Sequence, residues 1–156
     1  MPEDALARLW ARCKQEPYPA LLGIEVLDIQ PGYARVAMQF KPELQNIFGM
    51  LHGGALFSLL DEAFQLACNA RGKVAVAQQV STCFLAAARP DTRLIAEARE
   101  MNSTRKTALY DIRVFEETEG HEKGRLLASA QAMAYRKGGS LPFDEKGEIT
   151  APQSAT

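Results

Sequence analysis

Apolar positions in this chain recur every three to four residues near the start and again between 52 and 69. Elsewhere they recur at every second residue. The first period marks an amphipathic helix and the second a half-buried strand. EDALARLWARCKQ (3–15) puts Leu6, Leu9, Trp10 and Cys13 on one helical face, and EPYP ends the helix. GIEVLDIQ and GYARVAMQFK read as two strands joined by Pro31 and Gly32; in the second, Ala34, Val36, Met38 and Phe40 alternate with Tyr33, Arg35 and Gln39. KPELQN is a loop, and a long helix follows from about His52 to Asn69.

Beyond Arg71 and Gly72 come VAVAQQVSTCFLA, TRLIAEAREMN, KTALYDIRVFEE and GRLLASAQAMAYRK, all with period-two patterning. Ala108, Tyr110, Ile112 and Val114 form one face of the third. ARPD and EGHEKG are the punctuation of an antiparallel meander. The spacing therefore predicts an α+β domain: about six antiparallel strands against one long helix, with an N-terminal helix before them. The domain spans 1–138, and residues 139–156, which lack periodicity, are expected to be a loose tail. A sheet of this kind has edges to cover, which favours an oligomer.

On a helical projection Leu56, Leu59, Leu60, Ala63, Leu66 and Ala67 share one wide arc, the face that packs on the sheet. Ser58, Glu62, Gln65 and Asn69 fall opposite, toward water or polar neighbours. Asp61 lies on neither arc; it shares a narrow stripe with Phe57, Phe64 and Cys68. An acid between two phenylalanines is partly desolvated, which raises its pKa and strengthens its charge interactions.

At the start of the helix, Gly53 and Gly54 leave free backbone N–H groups open to close approach by a ligand atom. A carbonyl oxygen gaining charge in acyl transfer would be held there. Gly53 and Asp61 are eight residues apart, roughly 12 Å along a helix, too far for both to serve one carbonyl. If they share a site, two copies of the helix must lie antiparallel across a two-fold axis.

Composition narrows the chemistry. Of 156 residues, 47% are hydrophobic and 24% charged, with a formal net charge of −1, so no broadly nucleic-acid-binding surface is expected. No apolar run is long enough to span a membrane, and the N-terminus lacks a signal-peptide core. Cys13, Cys68 and Cys83 form no CxxC motif and read as reduced thiols of a cytoplasmic protein. His52 and His121 are far apart, which argues against a metal site. No G-x-S-x-G accompanies HGG, and Cys68 has no histidine in register.

The block N-x-x-G-x-x-H-G-G, then F-S-L-x-D-x-A-F and A-C-N-x-x-G, resembles the hotdog-fold acyl-CoA thioesterases of the phenylacetic-acid-degradation (PaaI) type over residues 15–138. The resemblance implies a hotdog fold and hydrolysis of an acyl-CoA to a carboxylic acid and free coenzyme A, without a cofactor. It assigns Gly53 to polarising the thioester carbonyl, Asp61 to nucleophile or general base, Asn46 to positioning water or thioester, and His52 to support. It also implies dimers paired into homotetramers, with coenzyme A along subunit interfaces. Some relatives hold the water with a serine or threonine after the helix; here Gln78 and Gln79 face that place. Arg105 and Lys106, with Arg89, Arg136 and Lys137, are candidates for the coenzyme A phosphates. Gly54, Phe57, Phe64 and Phe84, with Phe48, are candidates to line a pocket for an aromatic or medium-chain acyl group. Two other readings stay open: a hydratase or dehydratase using His52 and Asp61, and a non-catalytic acyl-CoA-binding protein.

Overall fold

The alternation along 33–39 carries directly into the structure, a computed structural model that describes residues 3–120 and 122–150: Ala34, Val36 and Met38 are buried while Tyr33, Arg35 and Gln39 are partly open. Helix α1 spans Glu3–Cys13 and a second helix, α2, spans Pro17–Leu22. Strands β1 (Glu25–Gln30) and β2 (Tyr33–Gln39) form the first hairpin. Helix α3 (Gly53–Asn69) follows, then β3 (Lys73–Phe84), β4 (Arg93–Ser103), β5 (Thr107–Glu117) and β6 (Lys123–Ser140).

The six strands make one antiparallel sheet in the order β1-β2-β4-β5-β6-β3. The excursion through α3 displaces β3 to the far edge, where among the described residues it pairs with β6 alone. Helix α3 packs on the face of the sheet built by β2, β3, β4 and β5. Leu56, Leu59, Leu60, Ala63, Leu66 and Ala67 meet that face, none more than 4% exposed. Opposite them Ala108, Tyr110, Ile112 and Val114 are at most 2% exposed.

Helix α2 has no signature in the period. EPYP does end α1, but the same prolines start a new helix, since proline's fixed φ and missing N–H suit a first turn. Gly23 closes it in the left-handed conformation at φ 69°, its N–H bonding Ala20. At the other end of α3, Asn69 acts as a splint. Its amide donates to the Ala75 carbonyl at 3.0 Å and accepts the Ala75 N–H at 2.9 Å, tying the helix to β3.

The period-two pattern ends the ordered chain at 138, but β6 runs on to Ser140 and residues 141–150 fold back as a small hairpin. Leu141 is buried and Phe143 packs on the core. The hairpin owes its order to a tertiary contact with α1, which no periodicity within 139–156 could reveal; residues 151–156 lie outside the described residues.

Leu59 has no exposed surface and faces the sheet at the middle of α3. Leu59→Ala is expected to lower unfolding free energy in urea titrations by about 2–5 kcal/mol.

Candidate functional site

His52 is the N-cap of α3: its backbone is extended at φ −64°, ψ 132°, and its Nδ1 accepts the Gly54 N–H at 2.8 Å. The His52 carbonyl accepts the Ala55 and Leu56 N–H groups. Of the donors at this helix end, the Gly53 N–H has no protein acceptor among the described residues. Helix start and dipole thus aim one unused donor outward. With Nδ1 occupied as an acceptor, a neutral His52 carries its proton on Nε2.

The two glycines differ in purpose. A Cβ on Gly54 would press His52 Nδ1 at 3.0 Å, so Gly54 makes room for the cap. A Cβ on Gly53 would meet only the Phe84 ring, at 3.6 Å, an ordinary contact. The bare Cα of Gly53 is therefore not needed for packing, and what it leaves open is approach to its own N–H.

Asn46 stands beside this end of the helix. Its Oδ1 accepts the Phe48 and Met50 N–H groups at 2.9 and 3.1 Å, closing the 46–50 turn. Two backbone donors on the oxygen leave the amide nitrogen as the group that can meet a ligand. Asn46, Phe48, His52 and Gly53 line one shallow concavity. Phe48 and Phe84 are both exposed.

Asp61 lines a different cavity, a cleft of about 390 Å³ between α3, α1, the start of β3 and the 141–149 hairpin. Its carboxylate has no hydrogen-bond partner among the described residues, and burial, then the charge of Glu16, pushes its pKa up. Phe64 lines the same cleft while its ring packs edge-on against Tyr110, centroids 5.4 Å apart. Phe57, at the first turn below the glycines, is half-buried.

Glu62 is a correction. The helical projection puts it on the solvated arc, yet it is only 6% exposed. The α1–α2 junction covers that arc: Glu16 sits over it, and Gln65 bridges the two acids, giving N–H groups to Glu16 at 2.8 and 3.0 Å and to Glu62 at 3.3 Å. Glu62 Oε1 is buried with no donor facing it. A neutral acid resolves this, because protonated Glu62 can donate to the Glu16 carboxylate. Burial, the Glu16 charge and that bond, with a smaller push from Asp61, raise the Glu62 pKa to about 8. Glu16 is absent from the candidates legible in the sequence; it is linked to the site only through tertiary contact across 49 residues.

Burial also lifts the Cys13 thiol to about 11 and the Cys68 thiol to about 12, so neither is a thiolate nucleophile near neutrality. Gln78 and Gln79 are exposed on β3, where the register shifts between Ala77 and Gln79; the extra residue forms a bulge that re-aims the strand. Arg105 and Lys106 lie exposed in the β4–β5 turn and line neither cavity. Arg136 is engaged by Ser103, Thr104 and Glu100, and Arg89 by Glu116. His121 lies outside the described residues. Among the described residues no group of three or more His, Cys, Asp or Glu could hold a metal ion, and no helix is long and apolar enough to cross a membrane.

A sheet wrapped on one helix, with an open N–H at the helix tip and a desolvated acid two turns on, defines a class. Residues 48–123 match the model of the Thioesterase superfamily. The acyl-coenzyme A thioesterase PaaI of Escherichia coli K12 is 32% identical over 120 residues, 77% of this chain and 82% of that protein. A solved Thermus thermophilus protein is 36% identical with a TM-score of 0.71, covering 78% of this chain and 97% of that one. A Streptococcus pneumoniae TIGR4 thioesterase protein crystallised with coenzyme A is 25% identical with a TM-score of 0.67, covering 74% of this chain and 86% of that one. The chain belongs to the hotdog-fold thioesterase superfamily and is a thioester hydrolase.

The acid pair makes stability depend on pH with a definite sign. Glu62 keeps its proton in the folded chain up to about 8, whereas the unfolded chain releases it near the ordinary 4.5. Its contribution to stability is therefore complete below 4.5 and lost as pH rises through 8. Glu62→Gln is expected to match wild type in urea unfolding at about pH 4 and to exceed it at about pH 9. A gap independent of pH would contradict the neutral-acid assignment.

Proposed function

We propose that this chain hydrolyses an acyl-CoA thioester at composite sites, each using Gly53 of one subunit and Asp61 of the other. The observation that carries this is the separation of the two groups within one chain. Asp61 and Gly53 line different cavities on one rigid helix, roughly 12 Å apart along its axis. A base must come within about 3 Å of the proton it takes. A second copy with its helix antiparallel removes the conflict.

The β3 edge supports such a dimer. It is twelve residues long, open along one side among the described residues, and carries exposed Val76 and Phe84. Long apolar edges of this kind are covered in stable proteins. Antiparallel pairing of two β3 strands would turn the helices beneath them antiparallel as well. Further pairing into a homotetramer is part of the proposal.

In the reaction, the thioester carbonyl oxygen takes the free Gly53 N–H, at the positive end of α3. The Asn46 amide N–H donates to the carbonyl or to the attacking water, its oxygen being already spent on the 46–50 turn. His52 holds that end of the helix in shape through Gly54. Asp61 takes a proton from the water, or attacks the carbonyl itself, and its raised pKa brings it closer to the working pH of a base. The carbon–sulfur bond breaks and the thiolate leaves as coenzyme A; on the base route the water oxygen has become the second oxygen of the released acid, and on the nucleophile route water then cleaves the Asp61–acyl anhydride to release the acid and restore the carboxylate. A thiolate leaves readily, so no dedicated general acid is required. Gln78 and Gln79, at the β3 bulge, are candidates for the place of a water-holding hydroxyl, and Arg105 and Lys106 are available to the phosphates of coenzyme A. An aromatic or medium-chain acyl group suits the phenylalanine-rich surroundings.

Asp61→Asn is expected to lower kcat about 10²–10⁴-fold with KM little changed, read by free-thiol release from a panel of aryl- and alkyl-CoA thioesters. Gly53→Val should be inactive as well. Mixing the two inactive chains through a denature–refold cycle then separates composite from single-chain sites. In a composite dimer each mixed pair regains one intact site, and roughly a quarter of wild-type activity returns. No recovery from correctly folded mixed dimers would refute the shared site.

A further inference from the structure

The Asp61 cleft reaches beyond the acid. Asp61, Phe64, Cys68 and Asn69 border it along α3, a run of about 12 Å at the helical rise. Val74 and Val76 of β3 flank it. Beyond α3 and β3 it is lined by Leu9 and Cys13 of α1 and by Leu141, Phe143 and Ile149 of the terminal hairpin, which leaves β6 where Ser140 pairs with Lys73, just past the C-terminus of α3.

This hairpin has a specific seat. Phe143 pairs with Ile149, and Asp144 Oδ1 accepts the N–H groups of Lys146 and Glu148, both at 2.9 Å. Gly147 at the turn has φ +80° and lies so close to α1 that a Cβ there would stand 2.5 Å from the backbone of Ala11 and Arg12. Gln15 reaches from beyond α1 to the Lys146 carbonyl, and the Arg12 guanidinium lies 5.9 Å from the centre of the Phe143 ring. The match to the Thermus thermophilus structure consumes 97% of that chain and leaves roughly a fifth of this one over.

We propose that the 141–149 hairpin, seated on α1, is the end wall of the acyl chamber and sets the length of acyl group the enzyme accepts. The inference rests on the thioesterase reading above. With the carbonyl beside Asp61, the acyl group runs along α3 and ends against Leu141 and Phe143. A cavity of about 150 Å³ holds a benzene ring, and the cleft measures about 390 Å³. The cleft thus has room for a medium-length alkyl or extended aryl acyl group.

The test is a chain-length profile of kcat/KM, from acetyl- through hexanoyl- and decanoyl- to palmitoyl-CoA, with phenylacetyl-CoA alongside. Phe143→Ala opens the wall and should move the optimum to longer chains, gaining at least ~10-fold on the longest substrate relative to acetyl. Leu141→Trp fills the end and should move it to shorter chains by a similar factor. Gly147→Val, which displaces the hairpin from α1, should flatten the upper cut-off. Superimposable profiles in Phe143→Ala and Leu141→Trp, both folded by circular dichroism, overturn the end-wall assignment while leaving the thioesterase reading intact. Should wild type release no thiol, that reading falls. The wall is then judged by calorimetric binding of the same series to Asp61→Asn, where a length preference unmoved by the substitutions, or no binding at all, overturns it.

Discussion

Leu59, Leu60, Ala63 and Ala67 lock α3 against the inside of the sheet, and a helix held along that stripe can neither rotate nor slide. Every exposed or half-exposed side chain on α3 is thereby given a fixed direction. Asp61 is turned toward the cleft at the β3 side, and the helix tip with its free Gly53 N–H is held beside the 46–50 turn. The same rigidity sets the separation between donor and acid. Close packing makes such cores resist small adjustments, so bending the helix cannot bring the two groups together within one chain.

The acids on α3 show how one fold assigns different fates to neighbours in sequence. Asp61 faces a cleft with no hydrogen-bond partner among the described residues, and burial with the Glu16 charge raises its pKa. Glu62, one residue on, is sealed under Glu16 and Gln65 and holds its proton to about 8. A buried carboxyl without a cation is destabilising when charged, yet here it is tolerated because neutralising it satisfies the pair. The Glu16 charge acts on both acids and so links the α1–α2 junction to the electrostatics of Asp61.

Elements outside the sheet and central helix shape the site rather than the core alone. Helix α1 contributes Leu9 to the core and Cys13 to the cleft, and it carries the close seat for Gly147. The terminal hairpin in turn supplies apolar side chains to the cleft. Both segments are peripheral in the order of the chain and adjacent in space.

Much of this is readable from residues alone, for a local reason. Strands and helices announce themselves by periods of two and 3.6, which need only near neighbours. That is why the α3 face, the β5 face, the N-terminal helix and the off-stripe position of Asp61 are all visible in the sequence. Capping and the glycine pair are equally local: His52 reaches only two residues, to Gly54. What tertiary structure alone decided involves partners far apart. Gln65 meets Glu16 across 49 residues, and Gln15 meets Lys146 across 131. Helical projection assumes that the arc opposite the core is wet, and so it misplaces Glu62. Absence of periodicity is easily taken for looseness, but the hairpin is seated by Gln15, Arg12 and the close approach of Gly147 to a helix at the other end of the chain. Such contacts depend on how finished elements meet, and no local pattern encodes that.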